Sequence, residues 1–196
     1  SRYVYAPVFG GSSWMADASF LCGVKIPNQL LYESLWDTSA NLCMPQLFEE
    51  AGYRTVLAAA NTTFADSRFK ELFPFDRLLM KNDFEYEGPR YAWSFIPDQY
   101  VLHYLLEQEI KAPEEPLFAT ILLASSHHPW QAIPSYIDDW SVLGDGSVFN
   151  DLPTEIYEQN GFFHGVDYHE GFLESIRYVF KSTAAFLERV PRQDTE

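Results

Sequence analysis

An α/β class with a mostly parallel sheet is predicted by three features of the sequence. Helical segments alternate with short apolar runs of strand length, and these runs are nearly continuous rather than alternating. Polar residues capable of chemistry follow directly on their carboxyl ends, where open α/β sheets bind ligands. No internal repeat is visible, and the 196 residues, 47% hydrophobic and 17% aromatic, suffice for one sizeable core, so one domain is expected.

Tyr3 to Phe9 is β-rich and runs into Gly10-Gly11-Ser12-Ser13, which reads as strand, tight turn and helix start. A first helix is predicted over Trp14 to Leu21. A second follows Pro45 as Gln46 to Gly52, with the glycine as a C-cap. Tyr53 to Ala60 has the length and composition of a buried strand, completing an αβ unit. Asp98 to Ile110 carries Tyr100, Val101, Tyr104, Leu105 and Ile110 in a one-faced helical pattern that Pro113 and Pro116 end. Leu117 to Leu123 reads as a parallel strand covered on both faces, delivering Ser125-Ser126-His127-His128-Pro129-Trp130 at its end. Residues 131 to about 166 show no sustained period but recurrent aromatics, as in an ordered surface excursion. A last helix is predicted over roughly Tyr168 to Arg189.

With 13 basic and 28 acidic side chains the formal net charge is −15, which argues against a nucleic-acid partner held by a basic surface. No stretch approaches the ~18 apolar residues of a membrane span and no signal peptide opens the chain, so a soluble chain is expected. It begins Ser-Arg-Tyr without Met and stops at Asp-Thr-Glu, as a piece of a longer protein would. Cys22 and Cys43 are too few for a disulfide scaffold or a complete zinc site. Two buried free thiols are expected, with one bridge in an oxidising compartment as the alternative.

Phe9-Gly-Gly-Ser-Ser-Trp-Met-Ala-Asp17, running into Phe20-Leu-Cys-Gly23, resembles the nucleophile segment of the alkaline phosphatase and sulfatase superfamily. The closest branch is that of the membrane-anchored lipoteichoic acid synthases and phosphoglycerol transferases. Further segments agree in order with that branch: Leu47 to Val56, Phe75-Asp76-Arg77 with Asp83-Phe84, Pro97-Asp98, Ser126 to Trp130, and Tyr168 to Leu187.

The resemblance implies an alkaline phosphatase-like sandwich with a mostly parallel sheet, truncated at both ends. Residues 1–196 would be a partial catalytic domain. It would lack the strand bearing the first acidic metal ligand and the terminal Gly-Asp-His segment, for which Gly144-Asp145-Gly146 is no substitute. Ser13 would be the nucleophile and one ligand of a divalent metal (Mn, Mg or Zn) in the full-length parent, with no tightly bound ion expected in this fragment. The spacing from Ser13 to the acid at Asp17 selects Ser13 over Ser12, which would cap the helix. His127 would donate to an oxygen of the transferring group or to the leaving alkoxide. The formylglycine route needs a Cys/Ser-x-Pro-x-Arg pattern that Trp14-Met15-Ala16 does not supply.

A serine at a helix start also faces unpaired N–H groups and the positive end of the helix dipole, which favour a bound anion. An ordinary serine needs a base or a metal to become a nucleophile. His128, Trp14 and Trp130 are secondary candidates beside the site. His164, Asp167, His169 and Glu170 fit no zinc spacing, and Asp138-Asp139 reads as a solvated loop. Tyr178-Val-Phe-Lys181 departs from relatives with an Asp after the Tyr.

The expected function is therefore the central portion of a metal-dependent phosphoryl or sulfuryl transferase or hydrolase. It would act on a lipid-linked or glycan phosphate or sulfate ester at the extracytoplasmic face of the membrane, from a membrane-anchored parent, with the fragment itself inactive. The alternative is a sulfatase-fold binding domain without catalysis. A Ser-His acyl hydrolase is a third class, for which the Gly-x-Ser-x-Gly elbow is missing.

Overall fold

A computed structural model describes residues 12–36, 42–62, 73–91, 93–111, 115–130, 132–156 and 169–191. The expected strand ending at Phe9 lies outside them. The described elements are α1 (Ser13–Cys22), α2 (Gln29–Trp36), α3 (Met44–Glu50), β1 (Arg54–Ala59), β2 (Arg77–Met80), α4 (Asp98–Leu105), β3 (Leu117–Ile121), β4 (Ala132–Ile133), β5 (Glu155–Ile156) and α5 (His169–Arg189). β2, β1 and β3 form a parallel sheet in that order, and β4 pairs antiparallel with β5. The chain clusters into two compact units. Of the described residues, one holds 12–36, 42–56, 73–77 and 115–119, and the other holds 57–62, 78–91, 93–111, 120–130, 132–156 and 169–191.

In the first unit, α1 ends where Gly23 takes a left-handed φ of 62°, and it buries Met15, Ala18, Leu21 and Cys22. α3 starts with Pro45 in its first turn and a box in which the Cys43 N–H donates to Gln46 Oε1 at 2.6 Å. Its C-terminus is closed by Ala51, and Gly52 beyond it has φ 83°, the conformation glycine accepts without a Cβ penalty. Phe48 of α3 stacks on Phe118 of β3 at 4.0 Å between centroids, and Phe75 flanks the same ring at 6.3 Å. β1 and β2 are tied by a side chain: Asp76 Oδ2 accepts from the Thr55 N–H (2.7 Å) and hydroxyl (2.9 Å), while the Asp76 N–H donates back to Thr55 Oγ1.

Cys22 and Cys43 form a disulfide, which corrects the expectation of free thiols. Both side chains are buried, as expected, but the end of α1 and the N-cap of α3 lie side by side, with the two Cα atoms 3.9 Å apart. α2 was not expected. Its start is capped by Asn28, whose Oδ1 accepts from the Leu31 N–H at 3.0 Å, but Leu30 and Leu31 are exposed, so its apolar residues lack a one-faced pattern.

In the second unit, Leu57 to Ala60 are all buried, and so are Leu79 and Met80. α4 departs from the one-faced pattern: Asp98, Gln99, Tyr100, Val101, Leu102 and Leu105 are all buried, whereas Tyr104 is half-buried. The polar members survive burial because each is bonded. Gln99 donates to the Ile137 carbonyl (2.6 Å) and accepts from the Ile137 N–H (3.1 Å), so its amide substitutes for a strand partner. A π-helical stretch, Leu106 to Ile110, continues α4. α5 packs against α4, and its buried residues Ser175, Tyr178, Ser182 and Phe186 are spaced three and four apart, on one face. The surface excursion is ordered over 132–156, where Gly146 (φ 84°) leaves room for the Tyr86 ring that a Cβ would overlap.

β3 is half-buried along its whole length rather than covered on both faces. Among the described residues it pairs only with β1.

The disulfide closes a loop of sequence separation 21, for which the chain-entropy model gives about 3 kcal/mol. Reduction, or replacement of both cysteines by serine, should lower the unfolding free energy by about that amount in urea titrations. An unchanged midpoint would show that the bridge constrains nothing in the unfolded chain.

Candidate functional site

The best-built site lies in the second unit, on the segments following the sheet strands. After β1, Asn61 Oδ1 accepts from the Phe95 N–H at 2.7 Å, and the Thr62 carbonyl accepts from the Lys81 N–H at 2.9 Å. After β2, Asp83 accepts from the Met80 N–H at 2.7 Å and fixes a short 3-10 turn. After β3, the chain passes Leu122, whose N–H donates to the Ala58 carbonyl, and turns at 124–127, where the His127 N–H donates to the Ala124 carbonyl at 3.0 Å.

His127 is exposed, yet its ring is held. Nδ1 lies 2.5 Å from the His128 carbonyl, and because a carbonyl can only accept, Nδ1 carries a proton. Nε2 is then the nitrogen offered outward. The imidazole also stacks on Trp93 at 4.6 Å between centroids and 19° between planes. Trp93 sits in a tight reversal in which the Tyr91 N–H donates to the Ser94 carbonyl at 2.9 Å. Trp130 Nε1 donates to the Ser126 carbonyl at 2.8 Å, and its ring meets His128 and Phe172 edge-on, so Trp130 and His128 buttress the loop. The His128–Pro129 peptide is cis.

Asp98 begins α4 and is 1% exposed. Its Oδ1 accepts from the Ala124 N–H (2.8 Å) and its Oδ2 from the Ser125 N–H (3.0 Å), while the Asp98 N–H donates to Ser125 Oγ (3.0 Å). Burial nevertheless outweighs these bonds and pushes its carboxyl up to about 6. Tyr178 of α5 is buried as well, and burial followed by the Asp98 charge holds its hydroxyl well above the ordinary range. Lys81 Nζ and the Arg90 guanidinium lie 4.2 and 4.1 Å from the Phe95 centroid, concentrating positive charge on one ring of a strongly acidic chain.

Ser13 belongs to the first unit, as the exposed first residue of α1. Ser12 occupies the N-cap, and its carbonyl accepts from the Met15 and Ala16 N–H groups, but its side chain makes no capping bond, contrary to the expectation that Ser12 caps the helix. Asp17, one turn on, is half-buried, and that burial raises its carboxyl pKa. Trp14 is half-exposed and donates to Gln29 Oε1 at 3.0 Å.

His164, Asp167 and the side chain of His169 lie outside the described residues, and Glu170 is exposed. Among the described residues no three His, Cys, Asp or Glu side chains are grouped as metal ligands. Asp138 is exposed and pairs with Lys181, and the Asp139 side chain caps a 3-10 turn by accepting from Ser141, as suits a solvated loop. Sequence reasoning missed Trp93, Asn61 and the anchoring role of Asp98. The only available signal was the proximity of Trp93 to the Pro97-Asp98 motif, since their partners lie 27 to 34 residues away.

A folded-state pKa raised above the unfolded value makes the folded chain the better proton acceptor. The stability this contributes is complete below ~4 and is lost as the pH rises through about 6. The stability of the protein relative to its Asp98→Asn variant should therefore fall between pH 4 and pH 6.5, by on the order of 2–3 kcal/mol. Urea unfolding of both proteins across that range measures it, and a flat difference would show that Asp98 titrates normally.

A sulfatase family model matches residues 24–194, beginning after Ser13. A comparison with curated protein sequences gives no match. Among solved structures, the lipoteichoic acid synthase LtaP from Listeria monocytogenes is similar with a TM-score of 0.61 and 19% identity, over 94% of this chain and 41% of that one. A protein of the alkaline phosphatase superfamily from Vibrio parahaemolyticus is similar with a TM-score of 0.52 and 13% identity, over 88% and 37%. The chain thus spans less than half the length of either. The α/β fold is that of the alkaline phosphatase superfamily, and the chain belongs to the sulfatase family.

Proposed function

We propose that residues 1–196 are the middle of the catalytic domain of a metal-dependent phosphoryl or sulfuryl transferase or hydrolase. Ser13 is its nucleophile and His127 its substrate-side donor. The observation that carries this reading is His127 itself, an exposed imidazole fixed by the His128 carbonyl and the Trp93 ring in the segment after a parallel strand. The sulfatase-family match supports the reaction class.

In the proposed reaction Ser13 loses its hydroxyl proton to solvent and its Oγ attacks the phosphorus or sulfur of the ester, forming an O–P or O–S bond while the bond to the leaving oxygen breaks. His127 gives a proton from Nε2 to that oxygen or donates a hydrogen bond to a non-bridging one. A divalent metal in the parent would acidify the Ser13 hydroxyl and neutralise charge on the transferring group. Among the described residues no three His, Cys, Asp or Glu side chains are grouped to enclose an ion, and in this reading the parent protein supplies the remaining ligands.

The substrate reading, a lipid-linked or glycan ester met outside the cytoplasm by a membrane-anchored parent, draws on the likeness to a lipoteichoic acid synthase. The Cys22–Cys43 bridge supports it, because structural disulfides persist in oxidising compartments. No helix among the described residues is long and apolar enough to cross a membrane. The second reading, a binding domain without catalysis, is favoured by the family match beginning after Ser13.

Two measurements separate these readings. In the metal-loaded parent, Ser13→Ala should abolish turnover with the fold intact, and His127→Ala should reduce it by about 10²–10³. If Ser12→Ala destroys activity and Ser13→Ala does not, the nucleophile is displaced by one residue, and if neither matters the binding domain is correct. The 196-residue chain alone should show little or no hydrolysis of an aryl phosphodiester or aryl sulfate and no stoichiometric Mn²⁺ by calorimetry. Robust turnover would mean that its own residues complete the metal cage.

A further inference from the structure

The peptide groups held by Asp98 belong to the turn that carries His127. The Ala124 N–H is bonded to Asp98 Oδ1, and the carbonyl of the same residue accepts from the His127 N–H. Ser125, also bonded through its N–H, returns its hydroxyl oxygen to the Asp98 N–H, so the start of α4 and the end of the β3 segment are joined by three hydrogen bonds. From Asp98 the chain runs back to Trp93, the ring stacked on His127. That short path is itself fastened, by Ser94 Oγ donating to the Ile96 carbonyl at 2.7 Å and by Asn61 accepting from the Phe95 N–H. Backbone and ring of His127 are therefore both tied into a circuit with Asp98 at its junction.

We propose that Asp98 is a positioning residue for His127: its carboxylate fixes the 124–127 turn and its segment fixes Trp93, so that Nε2 is held for an oxygen of the ester. The functional half of this inference rests on the reading of His127 given above. The geometric half does not. Two carboxylate oxygens are required because two peptide N–H groups converge on them, and an asparagine of the same shape offers one acceptor and turns an amide N–H toward the other donor. Burial makes the mismatch costly, since an unmet peptide N–H has no water there.

The test uses the full-length protein and five variants, Asp98→Asn, Ser125→Ala, His127→Ala, Trp93→Phe and Asp98→Asn/His127→Ala. The pH-dependent part of the tryptophan fluorescence that disappears in Trp93→Phe reports the indole–imidazole stack, because a protonated imidazole quenches indole. It should fall at least twofold in Asp98→Asn and less in Ser125→Ala, which keeps both carboxylate bonds. Turnover of an aryl phosphodiester should drop at least tenfold in Asp98→Asn, but Asp98→Asn should cost no more than twofold in the His127→Ala background. A side chain that merely stabilised the fold would cost the same in both backgrounds. An unchanged stack in both Asp98→Asn and Ser125→Ala, or full additivity with His127→Ala, would overturn the proposal. If the stack loosens while His127→Ala itself leaves turnover unchanged, the positioning stands and the catalytic reading of His127 fails. Should Asp98→Asn not fold, Ser125→Ala alone decides through the same two readouts.

Discussion

A strand buried on both faces has no water for its peptide groups, and β1 is such a strand: Thr55 to Ala60 are at most 2% exposed. Its backbone must be paired on both sides, and β2 and β3 supply that pairing. The surroundings are indexed to it. The Arg54 N–H donates to the Pro116 carbonyl and the Ala58 carbonyl accepts from Leu122, so a parallel register is maintained from one end of β3 to the other. Beyond the strand's last residue, Asn61 takes the Phe95 N–H and the Thr62 carbonyl takes that of Lys81. Placing β1 thereby places the segments that bear Trp93, Lys81 and His127.

Several acidic and amide side chains of this strongly acidic chain serve as internal acceptors. Asp76 ties β2 to β1, Asp83 closes the turn after β2, Gln99 substitutes for a strand partner at Ile137, and Asp98 holds the turn before His127. Three of these four lie in the Phe-Asp-Arg, Asp-Phe and Pro-Asp segments by which the sequence resembles its family. These family-like residues act here by satisfying buried or half-buried peptide N–H groups, which a neutral hydrocarbon could not do. Fold and candidate site therefore share a side chain: the loop whose peptide N–H groups Asp98 accepts is the one that carries His127.

The longer helices, the positions of strands β1 and β3 and the α/β class were legible in the amino-acid sequence, because period and apolar continuity are local properties, whereas the full burial expected of β3 was not met. β1, α4 and α5 begin within one residue of where the pattern places them. α2 and β2 were not legible. The first exposes much of its apolar surface, and the second is only four residues long, so neither carries a periodic signal. The family was legible for a different reason, the order of several short motifs along nearly the whole chain, and Ser13 and His127 were singled out on that ground.

Tertiary structure alone decided what depends on distance across the fold. Cys22 and Cys43 are joined because the end of one helix lies at the cap of another, which the count of two cysteines left open. The Trp93–His127 stack and the Asp98–Ser125 bonds link residues 34 and 27 positions apart. Spacing along a chain describes which residues share a face of one element. It carries no information about which peptide N–H groups a loop leaves unpaired, and here that unpaired set is what selects a buried carboxylate as the anchor of the site.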